Sequence, residues 1–146
     1  MKTPKLYFTE PGLATWLLGI TTPAQAARDP LFGGLFENMV VVEALKARHN
    51  AGEPPELYYY RDSNDIEVDL ILNKARRLLP IEIKAARTPA TEFAKNLKTF
   101  RKHADDAIFS PTVIHGGDLE MTADGVDYAS FKNTARIINN TPLPSP

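Results

Sequence analysis

The sequence predicts an α/β (α+β) fold in which one β-sheet is flanked by helices. Three observations carry that expectation. The stretch from Glu56 to Ala86, ELYYYRDSNDIEVDLILNKARRLLPIEIKAA, holds three strand-type segments in succession. A long, mainly apolar helical stretch precedes it, and an amphipathic helical stretch follows it, ahead of a further strand-type run. A chain of 146 residues suits one domain that buries its core without disulfides or a structural metal.

Lys2 to Phe8 forms a short lead-in. Thr9 stands where it can N-cap a helix through Leu18, which Gly19 stops. Leu13, Trp16 and Leu17 fall at helical spacing and form an apolar stripe for the core or for a neighbouring surface. Thr21 to Asp29 reads as a loop. Asp29-Pro30 then supplies an N-cap and a first-turn proline for a helix to about His49, with Gly33-Gly34 delaying its regular start. Phe36, Met39, Val40, Val41 and Val42 make this helix apolar around much of its circumference, so it should be buried. Glu37 sits among them. A carboxylate there is costly unless it is paired, protonated or bound to a cation, or else lies in the first turn, where the helix dipole favours it by ~0.3–1 kcal/mol.

Leu57 to Arg61 is an aromatic-rich strand, followed by the turn-type residues Asp62, Ser63, Asn64 and Asp65. Ile66 to Leu72 and Leu78 to Ala85 alternate. Strict alternation puts Glu67, Asp69 and Ile71 on one face and Val68, Leu70 and Leu72 on the other. In the next strand it separates Glu82 and Lys84 from Ile81, Ile83 and Ala85. With Lys74 to Arg77 as the hairpin loop, Asp69 lies across from Glu82 and Glu67 across from Lys84. Carboxylates so opposed have Cβ atoms roughly 4.5–5.5 Å apart and repel unless something positive lies between them. A hard cation such as Mg²⁺ takes oxygen ligands, and a lysine two residues along the same face can reach the same substrate oxygen or attacking water. The other reading of these residues is a solvated sheet face with a Glu67–Lys84 ion pair worth ~0–1 kcal/mol.

Arg87 to Thr91 turns into a helix from about Thr91 to Ala104, with Phe93, Leu97 and Phe100 inward. Lys95, Lys98, Lys102 and Arg101 form a basic face, which is either solvated or positioned to hold a phosphate backbone. Ala107 to His115 reads as a strand closed by Gly116-Gly117, followed by a loop to Gly125, a short extended piece at Val126 to Ala129 and a last helical turn. The tail TPLPSP, Thr141 to Pro146, has a disordered composition. His49, His103 and His115 lack ligand spacing and read as surface or capping histidines.

The lack of cysteine excludes disulfides, thiolate metal sites and cysteine catalysis, and fits a reducing cytoplasm. The opening MKTPKLYFTEPG has no apolar signal-peptide region, and no apolar run is long enough to span a bilayer. A net charge of −1 gives no global pull towards nucleic acid, so phosphate contacts would need a local patch or a metal. There is no GxxxxGK[ST] phosphate loop.

A helix with Glu37, a hairpin with Asp69 and then Glu82-Ile83-Lys84, a helix and a further strand together resemble the PD-(D/E)xK nuclease-like superfamily. More closely, LYFTEPGLATWLLGI, GGLFENMVVVEAL, ELYYYRDSNDIEVDLIL and LLPIEIKAA look like domain of unknown function 4143, found behind AAA+-type ATPase modules in bacteria and archaea. The similarity runs from about Lys5 to near Tyr128. It implies a restriction-endonuclease-like mixed sheet with an αβββαβ core over residues 31–138, a lead-in over 1–30 and a disordered tail over 139–146. It also implies a catalytic set of Asp69, Glu82, Lys84 and Glu37. Asp69 and Glu82 would hold Mg²⁺ or Mn²⁺, with the Ile83 carbonyl and Glu37 as further donors. DNA is the implied substrate, with the basic face of Lys95, Lys98, Lys102 and Arg101 against its backbone, and double-strand cleavage would require a homodimer. Val68 stands where the motif has proline, and the ATPase module found in relatives is absent from this chain. The alternative is a non-catalytic regulatory or docking domain of an AAA+-type ATPase, binding a partner protein or nucleic acid.

Overall fold

A computed structural model describes residues 4–63, 66–104 and 107–140. The expectations for Asn64, Asp65 and the TPLPSP tail fall outside them. Six strands form one mixed sheet: β1 Leu57–Arg61, β2 Glu67–Lys74, β3 Arg77–Lys84, β4 Thr112–His115, β5 Met121–Ala123 and β6 Val126–Ser130. Their order across the sheet is β1-β2-β3-β4-β6-β5. The pairs β1/β2, β2/β3 and β5/β6 are antiparallel, whereas β3/β4 and β4/β6 are parallel.

Helices cover both faces. On one side α3, Phe32–Asn50, places Phe36, Val40, Ala44 and Ala47 against Leu70, Leu72, Leu79, Ile81 and Ile83, and Ile138 of α5, Thr134–Asn139, completes that cluster. On the other, α4, Lys95–Ala104, places Leu97 and Phe100 against Val68, Ile71, Val113, Val126 and Tyr128. Leu97 is fully buried. Leu97→Ala should therefore cost about 3 kcal/mol through lost burial and a residual cavity, read as a lower urea midpoint. An unchanged midpoint would mean that α4 does not pack on the sheet.

The hairpin register agrees with the sequence expectation, since Leu70 pairs with Ile81 and Lys74 with Arg77. The turn is tighter than expected. Only Ala75 and Arg76 lie between the strands, both left-handed with φ of 51° and 69°, the backbone that two-residue hairpins require.

Strict alternation fails in β2. Tyr58 pairs with Ile71 but Tyr60 with Val68, so three steps along β2 match two along β1. This bulge puts Val68 in the α4-side cluster with Ile71, while Leu70 and Leu72 face α3. The predicted grouping of Val68 with Leu70 and Leu72, and of Ile71 with the acidic face, is thereby corrected.

Other boundaries differ for local reasons. The first helix, α1, spans Pro11–Leu17 with Glu10 at its N-cap in place of Thr9. The expected loop at Thr21 to Asp29 contains a short helix, α2, Pro23–Ala26, closed by a Thr22/Gln25 capping box. The strand expected from Ala107 begins at Thr112. The expected loop before Gly125 contains β5, joined to β6 through Asp124-Gly125 with φ of 52° and 70°; Asp-Gly is a hairpin signal in its own right. His115 is fully buried, not a surface histidine. Its Nδ1 accepts from the Gly117 N–H at 3.1 Å while Nε2 lies 2.8 Å from the Leu119 carbonyl, so the imidazole locks the turn after β4.

Candidate functional site

The bulge in β2 creates the site. The paired register of β2 and β3 ends at Leu70 and Ile81. One residue further along, the Asp69 carboxylate takes up the strand's hydrogen bonding: its Oδ2 accepts the Ile83 N–H at 2.9 Å. The hairpin is held open there by a side chain, and Glu82 sits beside the gap. Glu37 reaches the same place from α3. It stands beyond the first turn of that helix, so the helix dipole does not account for it.

The four predicted residues are thus brought near one another, though not around an empty centre. Lys5, from the segment read only as a lead-in, puts its Nζ 3.0 Å from Glu37 Oε1, 2.5 Å from Glu67 Oε1 and 3.4 Å from Asp69 Oδ1. Tyr7 donates its hydroxyl to Glu37 Oε1 at 2.7 Å. Lys84 donates to Glu82 Oε1 at 2.6 Å. Glu67 does not pair with Lys84 as expected; its partners are Lys5 and, at the rim, Arg61 at 3.9 Å.

Burial is the largest single influence on Lys5, Tyr7, Asp69, Glu82 and Lys84. Desolvation lowers the Lys5 affinity for its proton, but hydrogen bonds to Glu67 and Glu37 and the field of Asp69 outweigh it, so the ammonium is held far more firmly than usual. Burial, reinforced by the bond to Glu37, likewise raises the Tyr7 phenol. Asp69 is raised by burial, with the Ile83 N–H opposing. Glu82 is pushed up to about 7, by burial first and by the Asp69 charge second, against the opposing bond from Lys84. Burial opposes the Lys84 charge, and the Glu82 bond more than restores it.

A stability prediction follows for the metal-free chain. The folded state holds the Glu82 proton more tightly than the unfolded chain does, so this group costs stability as pH rises from about 4.5 to about 7. Above that window Glu82→Gln should raise stability by roughly 2–3 kcal/mol, and below pH 4.5 by little. Parallel urea titrations at pH 4.5 and 8 would show it; an equal effect at both would refute the burial argument.

The donor chemistry suits a hard cation. Glu82 is 4% exposed and, among the described residues, its Oε2 has no hydrogen-bond partner, which is expensive for a buried acceptor unless a proton or a cation answers it. Among the described residues, however, no group of three carboxylate or imidazole side chains stands ready to hold a metal ion. What Glu37, Glu67 and Asp69 share is the Lys5 ammonium.

The predicted basic face lies on α4, with Arg101, Lys95 and Lys102 exposed and Lys98 paired to Asp124 at 2.7 Å. Sequence reasoning missed Lys5, Tyr7 and Asn38. A signal existed for the last: a polar Asn beside Glu37 in an apolar helical run needs a buried partner. It is found in Phe8, whose N–H donates to Asn38 Oδ1 at 2.7 Å and whose carbonyl accepts from Nδ2 at 2.8 Å.

The family model described as a domain of unknown function, DUF4143, matches residues 32–133. Lys5 and Tyr7 lie ahead of that span. Two uncharacterized proteins, one from Mycobacterium bovis and one from Mycobacterium tuberculosis, are each 35% identical over 91 residues, covering 61% of this chain and 19% of theirs. The chain therefore matches about a fifth of the length of these curated relatives. No solved structure matches it significantly.

Proposed function

The chain belongs to the DUF4143 family, and from that premise we propose that its carboxylate site is the centre of a divalent-metal-dependent nuclease hydrolysing phosphodiester bonds in DNA. The observation that carries this reading is the Asp69–Glu82 pair at the bulge-opened end of one hairpin, with Glu82 Oε2 buried and unpartnered. The order α3, β1, β2, β3, α4, β4 supports a restriction-endonuclease-like core within a PD-(D/E)xK-type domain of residues 31–138.

In this reading Asp69 and Glu82 hold Mg²⁺ or Mn²⁺, with the Ile83 carbonyl and Glu37 as further donors. When bound, the ion supplies Lewis-acid activation of water and of the phosphate. Lys84, tethered to Glu82 at 2.6 Å, orients the attacking water or meets the charge that develops on the phosphate oxygens. In the metal-free chain Glu37 Oε1 is bonded by Lys5 and Tyr7. Lys95, Arg101 and Lys102 supply exposed positive charge for a DNA backbone. Cleavage of supercoiled and single-stranded DNA with Mn²⁺ tests the reading, with Asp69→Ala purified in parallel. Equal cleavage by both proteins would identify a contaminant and end the assignment.

A second reading, a regulatory or docking domain of an AAA+-type ATPase, draws on α1. Leu13, Trp16 and Leu17 there are 48%, 70% and 60% exposed, an apolar surface suited to a protein partner. A docking domain would show no divalent-cation stabilisation, whereas the nuclease reading requires stabilisation that Asp69→Ala removes.

A further inference from the structure

The segment from Lys5 to Phe8 belongs to no helix or strand, yet every other side chain in it is committed to the site. Lys5 and Tyr7 turn inward and are partly buried, whereas Leu6 and Phe8 are 90% and 49% exposed. The segment is therefore not anchored by burying these apolar groups. Its hydrogen bonds and ion pairs to the rest of the fold include the Lys5 ammonium among Glu37, Glu67 and Asp69, the Tyr7 hydroxyl on Glu37, and the paired amide bonds between Asn38 and the Phe8 backbone. Adjacent residues of α3 thus divide the work. Glu37 receives the cation and Asn38 fixes the position along the chain from which it is delivered.

Charge within the site is unbalanced. Glu37, Glu67, Asp69 and Glu82 face two ammonium groups, Lys5 and Lys84, with Arg61 at the rim, and one buried Glu82 oxygen is left unanswered. A single positive charge on a tether is a partial substitute for a divalent ion. Because Lys5 Nζ lies within 3.4 Å of oxygens on three carboxylates, an ion held by Asp69 and Glu37 competes with it for the same oxygens.

We propose that Lys5–Phe8 is an intrinsic strap that holds the Lys5 ammonium in the carboxylate site as a tethered counter-ion, and that divalent-cation uptake requires this strap to leave α3. The inference rests on reading the cluster as a cation site, and adds how access to that site is regulated. Release uncovers little apolar surface of the strap itself, because Leu6 and Phe8 are already exposed. The carboxylates stay where the sheet and α3 put them.

Mn²⁺ titration of the full chain, read as loss of the free-ion electron paramagnetic resonance signal, tests this in wild type, Lys5→Gln, Asn38→Ala and Lys46→Gln, the last an exposed lysine paired with Glu43. Folding of each variant is checked by circular dichroism. Asn38→Ala keeps every charge, so it carries the test should Lys5→Gln not fold. Lys5→Gln and Asn38→Ala are expected to bind Mn²⁺ roughly tenfold more tightly than wild type, a typical coupling between linked sites, with Lys46→Gln unchanged. Wild-type affinity in both strap variants would overturn the strap and leave the cation site standing. No binding by any folded variant would overturn the cation reading, and this inference with it. Saturating Mn²⁺ should also speed trypsin cleavage after Lys5 in wild type but not in Asp69→Asn; continued protection of Lys5 in the Mn²⁺-bound protein would refute displacement.

Discussion

Under the proposed nuclease reading, Lys84→Ala will reduce Mn²⁺-dependent DNA cleavage by roughly 10²-fold or more while leaving Mn²⁺ affinity within a few-fold of wild type, the loss expected when one preorganised electrostatic partner of the reacting group is removed. Asp69→Ala will lose both properties. The contrast comes from where the two side chains attach. Asp69 is embedded, bonded to the Ile83 N–H at 2.9 Å and pushed towards protonation by burial, so its removal deletes the proposed metal donor and releases the hairpin end. Lys84 is half-buried and bonded to Glu82 Oε1. Its removal deletes the charge proposed to act on water or phosphate and relieves a competitor for Glu82. Cleavage rate and Mn²⁺ affinity measured on the same preparations separate the roles; equal loss of affinity in both variants would mean that Lys84 builds the site instead of acting in it.

The second large effect lies at the far end of β4. A Cβ placed on Gly117 would overlap the Arg87 carbonyl oxygen outright, and one on Gly116 would meet the Ala85 carbonyl oxygen at 2.5 Å. Both obstacles are backbone, so no side chain can rotate away. This close approach ties the exit of β3, which carries Glu82 and Lys84, to the turn locked by His115. Gly117→Ala should cost about 4 kcal/mol or more, in the range reserved for named structural faults, with Gly116→Ala less severe. A fall in the thermal or urea midpoint larger for Gly117 than for Gly116 is the expected result. Two midpoints near wild type would mean that the loop after β3 yields freely.

The signals that predicted the fold were local ones. Alternation and turn length placed the β2/β3 register, so Leu70 pairs with Ile81 as expected. The stripe at Leu97 and Phe100 identified the buried face of α4. Two local signals went unread: the Thr22/Gln25 capping box and the Asp124-Gly125 hairpin turn. The bulge had no such signal. It depends on how three β2 steps are matched to two on β1, and a period-two pattern contains no term for a partner strand.

By itself, then, the sequence determined the order of elements, the hairpin and the proximity of Asp69, Glu82 and Lys84, because residues one strand pairing apart are bound by a register that short-range periodicity encodes. Only the tertiary structure decided that Lys5 occupies the carboxylates, that Asn38 clamps Phe8 and that His115 is interior. Lys5 and Asp69 are 64 residues apart in sequence, and Phe8 and Asn38 are 30 apart. Contacts at that range arise from packing α3 onto the sheet and laying the first segment across it. The sequence marks each member only as a polar side chain, and burial then compels it to find a partner.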